Sequence, residues 1–195
     1  MNLTFRTFAF VSLISIAGGV RSEEVPILRN GSFDEGSRFW FILTKGEYRK
    51  PETLGKSLEV RKGKGLYLNI SELVVTDTAK PAAVTVNQRL KQLKDGTTYT
   101  LGFEIRSSVK GSCLVGLGNP VKEGPNKFNL AGGLPVNTLT VMPRWEEHSF
   151  SFTYNKEKHL SLPEDAEHTL LQFRLGTLQD VTLRHIHLTP ASALP

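Results

Sequence analysis

Apolar side chains recur at every second position in the middle of this chain, where Tyr99, Leu101, Phe103 and Ile105 alternate with Thr100, Gly102 and Glu104. A period of two marks a strand with one dry face, because successive side chains of an extended backbone point to opposite sides. The pattern returns at Phe150 and Phe152 after Trp145, and again at Leu171, Phe173 and Leu175. Helical periodicity is nearly absent beyond the N-terminal segment, while Gly and Pro break up short runs of Val, Leu, Phe and Thr. The sequence therefore predicts an all-β chain.

Strands are expected at Ser57 to Val60, Leu66 to Ile70, Ala83 to Leu90, Thr98 to Arg106, Ser112 to Gly118, Glu147 to Thr153, Thr169 to Leu175 and Val181 to Leu188. That number suits a sandwich of two antiparallel sheets. Asp95-Gly96 supplies turn chemistry just before the Tyr99 strand, as do Gly63 and Gly65 before Leu66. The stretch from Asn119 to Arg144 carries Pro120, Pro125, Pro135 and Pro143 and reads as a long irregular loop, the kind that often carries function on a rigid scaffold.

The chain opens with a short basic start, an apolar run from Phe8 to Ala17 and small residues up to Ser22, which is the layout of a secretory signal peptide. Residues 1–22 are read as that signal and residues 23–195 as one domain, secreted or periplasmic, with no membrane span in the mature part. The formal charge is +5, and losing Arg6 and Arg21 with the signal leaves +3. A mildly basic surface suits acidic polymers but falls short of the basic stripe that nucleic acid demands. The single cysteine, Cys113, sits in an apolar run and reads as a small buried hydrophobe, so packing rather than an internal disulfide must hold the fold.

If Leu101, Phe103 and Ile105 point inward, Glu104 and Arg106 face outward, and alternation assigns the same outward role to Thr85, Asn87 and Arg89 and to Gln172 and Arg174. Planar amides and guanidinium groups on one face suit sugar hydroxyls, and arginines Arg89, Arg106 and Arg174 favour carboxylate or sulfate through bidentate pairing. A solvated outer face is the plain alternative. Sugar rings also need an aromatic platform, for which Phe128 in the long loop is the leading candidate, beside Tyr48, Tyr67 and Tyr154. The candidate ligand-binding set is therefore Asn87, Arg89, Glu104, Arg106, Phe128, Gln172 and Arg174.

His185 and His187 stand two apart on an expected strand and could place two imidazoles on one metal, but no carboxylate follows them. Neither a nucleophile elbow nor a phosphate-binding loop occurs. The expectation is a chain with no catalytic residues, no metal site and no cofactor.

Several landmarks together resemble the carbohydrate-binding domains of the cenC type, the family 4/9 group of carbohydrate-binding modules. They are Asn30-Gly31-Ser32-Phe33-Asp34 with Gly36 and Trp40; Val84, Val86, Gln88 and Leu90; Leu93, Gly96, Tyr99, Leu101 and Phe103; Trp145, Phe150 and Thr153; and Leu171, Phe173, Leu175 and Gly176. The resemblance implies a galactose-binding-like jelly-roll β-sandwich that binds a polysaccharide or glycan without cutting it, with Trp40, Tyr99 and Trp145 in its core. It also implies a structural calcium ion near an acidic residue of the last strand. Here that strand reads Leu183-Arg184-His185-Ile186-His187-Leu188, and basic groups replace the hard oxygen donor that calcium prefers. Two other readings stay open: a small secreted polysaccharide-active enzyme or metalloenzyme, and an adhesive or structural surface protein. No particular sugar or partner protein is indicated.

Overall fold

A computed structural model describes residues 26–44, 47–49, 53–61, 64–73, 84–124, 127–131, 137–156 and 169–191. The segment read as a signal peptide lies outside them. Among the described residues the strands are β1 (Trp40–Thr44), β2 (Glu47–Arg49), β3 (Leu58–Arg61), β4 (Gly65–Leu68), β5 (Val84–Leu90), β6 (Thr98–Arg106), β7 (Gly111–Gly124), β8 (Lys127–Ala131), β9 (Asn137–Val141), β10 (Glu146–Thr153), β11 (Thr169–Arg174) and β12 (Val181–Pro190). One helical turn, α1 (Ile70–Leu73), follows β4, so Ile70 leaves the strand expected to hold it.

The strands form a jelly-roll sandwich. One sheet runs β10-β6-β12-β4-β3 and the other β11-β5-β1-β2-β8-β7-β9. In the second sheet β11 also pairs with β7, so β11, β5, β1, β2, β8 and β7 close into a ring with β9 as its tail.

The expected irregular loop is instead largely strand, since it contains the end of β7, all of β8 and β9. Its prolines misled the reading. Pairing of β7 with β11 stops at Gly118 and with β9 at Val115, so Pro120 falls where β7 has only β8 beside it. A strand with one free side tolerates a missing N–H.

Alternation fills the space between the sheets. Tyr99, Leu101, Phe103 and Ile105 of β6 are buried, as are Trp40 and Ile42 of β1, Val84 and Val86 of β5, and Leu171 and Phe173 of β11. Aromatic rings link the layers: Phe103 meets Phe173 edge-on at 5.0 Å, Phe173 meets Trp40 at 6.3 Å, and Trp40 meets Phe33 at 5.3 Å. Burying such rings supplies much of the hydrophobic stabilisation a chain without a described disulfide needs.

The opening turn is pinned at three points. Gln88, buried on β5, accepts the Arg29 backbone N–H at 2.7 Å and donates Nε2 to the Arg29 carbonyl at 2.7 Å, acting as a side-chain substitute for a neighbouring strand. Asn30, with φ at 50°, donates Nδ2 to the carbonyls of Gly36 and Arg38 and accepts the Glu35 N–H. The Ile186 N–H donates to the Gly31 carbonyl at 3.0 Å, and Gly31 lies so close to the Ile186 carbonyl that any Cβ there would overlap it.

Candidate functional site

The ring builds a second, smaller interior on the side of its sheet turned away from the core. Register fixes three cross-strand rows there: Arg89, Leu170 and Gly118; Phe41, Asn87, Gln172 and Gly116; and Leu43, Thr85, Arg174 and Leu114. Leu43 and Leu170 are 4% and 2% exposed, yet neither belongs to the main core cluster. Their cover follows from topology. Beyond Gly118 the β7–β8 hairpin leaves β11, and β8 pairs with β2 through Glu47 and Lys127, which closes the ring.

A ladder of polar side chains runs beneath. Asn87 donates Nδ2 to Thr85 Oγ1 at 2.9 Å, Gln172 donates Nε2 to Asn87 Oδ1 at 2.7 Å, and Arg174 donates Nε to Gln172 Oε1 at 2.7 Å. Thr85, Asn87 and Gln172 are sealed, at 3%, 0% and 4% exposure. Arg174 is half-buried and Arg89 exposed. Burial pushes the Arg174 guanidinium below its ordinary range, and among the described residues it has no carboxylate partner. The ladder thus orients a cation that no carboxylate among the described residues compensates.

Four of the predicted ligand-binding residues, Asn87, Arg89, Gln172 and Arg174, therefore share a face. Glu104 and Arg106 do not join them. Alternation put all of them outside their sheets but could not say that β6 and β5 belong to different sheets, so Glu104 and Arg106 lie on the opposite surface of the sandwich. Arg89, Arg106 and Arg174 are not one cluster. The Phe128 side chain lies outside the described residues; its backbone sits in β8 opposite Lys122. The Tyr48 side chain is likewise outside them, while the backbone pairing of Tyr48 with Leu43 sets position 48 in the Arg174 row. The glycines Gly116 and Gly118 escaped the sequence reading, although a glycine at alternate strand positions is itself a sign of close approach by a ligand or backbone.

On the opposite surface, Arg184 donates Nε and Nη2 to Glu104 Oε2 at 2.9 and 2.6 Å, and His185 Nδ1 lies 2.6 Å from Oε1. The His185 contact, then that of Arg184, holds the Glu104 carboxyl below its ordinary range. Arg184 and Arg106 lie against the Trp145 ring at 3.8 and 4.9 Å, so Trp145 is half-buried on the surface rather than in the core.

The two histidines are separated by a bulge between Arg184 and His187, with φ at 52° for His185, which turns Ile186 into the core. His187 lies over Gly102, where a Cβ would strike its ring, and its Nδ1 donates to the His185 carbonyl at 3.0 Å. Among the described residues no group of three or more His, Cys, Asp or Glu is placed to hold a metal ion.

Calcium also fits poorly. Carbonyls of the opening turn at Gly36 and Arg38 are taken by the Asn30 amide, Asp34 accepts Ser32 Oγ, and Glu35 pairs with Arg38. The last strand offers Arg184 and His185 instead of an acid. The Asn30 amide thus takes up one lone pair on each of these two carbonyls. Cys113 is fully buried and desolvation pushes its thiol far up, which leaves it inert as a nucleophile.

The sequence profile of a family described as "Carbohydrate binding domain", of the 4/9 type, matches residues 25–162. The chain belongs to this family. Among solved structures it is similar to one titled "CBM4 structure and function", at 21% identity and a TM-score of 0.57, over 83% of this chain and 98% of the other. It is also similar to the N-terminal cellulose-binding domain of β-1,4-glucanase C from Cellulomonas fimi, at 19% identity and a TM-score of 0.53, over 88% and 100%. The second N-terminal cellulose-binding domain of that enzyme follows at 15% and 0.55, over 89% and 99%. At these identities the likeness establishes the fold. No curated protein matches the chain. No helix among the described residues is long and apolar enough to cross a membrane.

Proposed function

We propose that this is an exported, non-catalytic protein that binds a polysaccharide or glycan, acidic chains among them, along the face formed by β5, β11 and β7. Family membership supports the ligand class. The observation that carries the reading is the accessible Arg174 guanidinium, held in one orientation on a face away from the core by the buried ladder of Thr85, Asn87 and Gln172. A planar donor already held in place loses little freedom on binding, which is what recognition of a flexible sugar chain requires. The signal-like segment of residues 1–22 supports export.

Native affinity electrophoresis of the mature chain through gels containing a panel of soluble polysaccharides tests this reading. At least one polymer should retard the protein without any rise in reducing ends. Free migration in every gel would contradict binding, and new reducing ends would contradict the non-catalytic role. Sequencing the exported protein should find its first residue within a few positions of Glu23.

A further inference from the structure

The Arg174 guanidinium is the accessible end of the buried ladder. Its Nε is committed to Gln172 Oε1, and among the described residues its two terminal nitrogens bond to nothing. The contrast with Arg184, another partly buried arginine, is informative. Arg184, with 26% of its side chain exposed, is neutralised by two hydrogen bonds to Glu104. Arg174 is held as firmly but by a neutral amide, which orients the fork without cancelling its charge.

A desolvated cation without a counter-charge costs stability, and a bound anion removes that cost. The outer edge of a guanidinium whose Nε is already fixed matches a carboxylate or sulfate, whereas a hydroxyl group supplies a dipole and leaves the charge uncompensated. On the β7 side Leu114 stands opposite Arg174, and Gly116, opposite Gln172 in the adjacent row, carries no side chain. Arg89, two rows away on the same face, adds positive potential that draws an anionic chain in.

We infer that Arg174 is the specificity-determining residue of this face and selects glycans bearing a carboxylate or sulfate, as in a uronic acid unit or a sulfate ester. This rests on the glycan-binding reading. The full mature chain is titrated calorimetrically with matched pairs: polygalacturonate against its methyl-esterified form for carboxylate, and dextran sulfate against dextran for sulfate. Arg174→Gln and Arg144→Gln are compared with the parent, since each removes one positive charge and Arg144 is an exposed side chain paired with Glu146, away from this face. Melting temperatures verify that both fold.

The expected result is that the parent prefers the charged member of at least one pair, and that Arg174→Gln weakens that binding about tenfold or more while Arg144→Gln does not. Which pair responds identifies the carboxylate or the sulfate. Equal losses in the two variants would show bulk polyanion attraction and overturn the inference. So would a parent that prefers the uncharged members, although glycan binding would then stand. If no polymer of these pairs or of the electrophoresis panel is bound, the glycan-binding reading falls with it.

Discussion

Gln172 on β11 donates its Nε2 hydrogen to Asn87 Oδ1 on β5 at 2.7 Å, and both side chains are sealed from water on the side of their sheet that faces away from the main core. That bond joins the middle of a polar ladder whose accessible member is Arg174. The buried amides act as the support and Arg174 as the surface they present.

Removing the joint should be felt in stability. Gln172→Ala leaves Asn87 Oδ1 and Arg174 Nε without their partners, and an unsatisfied buried polar group costs about 1–3 kcal/mol. Urea unfolding should show a lower midpoint at an unchanged slope. Arg89→Ala, an exposed change, should fall within about 0.5 kcal/mol of the parent.

Gln88 makes a separate prediction because it holds the opening turn through both backbone groups of Arg29. Gln88→Ala should speed hydrogen exchange at the Arg29 amide far more than at Val86 in the same strand, because it releases the turn without breaking the sheet. Equal exchange at both sites would show that the clamp is dispensable.

The Asn30 network should make the turn independent of calcium. Adding a chelator is expected to leave the melting temperature unchanged, whereas Asn30→Ala should lower it through the loss of three hydrogen bonds and of a residue suited to a positive φ. A large drop with chelator alone would show that oxygens outside this network bind the ion.

Acid should act through Glu104. Its folded-state pKa is depressed, so its contribution is complete above the ordinary carboxylate value and is lost as pH falls through the lower folded value. Melting curves of the parent and Glu104→Gln should therefore differ most above the ordinary carboxylate range and converge as the pH falls below it. A constant gap between them would mean that shape rather than charge sets the effect. The same geometry overturns the simple view of Glu104 as a solvated outer position, since it links β6 to β12 through Arg184 and His185.

Most of the fold was legible because burial imposes a strict period. Every strand expected from an apolar run is present, with small differences at the ends except in β7, which runs on from the expected Gly118 to Gly124. Strands β1, β2, β8 and β9 were missed for different reasons. β2 is only three residues long, while β8 and β9 lie in the stretch whose prolines and glycines suggested a loop. The β12 bulge did leave a trace, since Val181 and Leu183 share one parity whereas Ile186 and Leu188 share the other, a phase change only an extra residue can make. The site was half legible. Alternation finds which residues leave the core but not which sheet they leave, so Asn87 and Gln172 share a face while Glu104 and Arg106, expected beside them, lie on the opposite surface.

The most direct test of the central claim is a two-dimensional NMR titration of the mature protein with a polysaccharide that retards it in native gels, following the arginine Nε–Hε and tryptophan indole signals. The ladder face predicts that the Arg174 and Arg89 signals shift to saturation together while the Trp145 indole stays still. Saturating shifts at Trp145 and Arg106, with Arg174 unmoved, would place the ligand on the opposite sheet and contradict the claim.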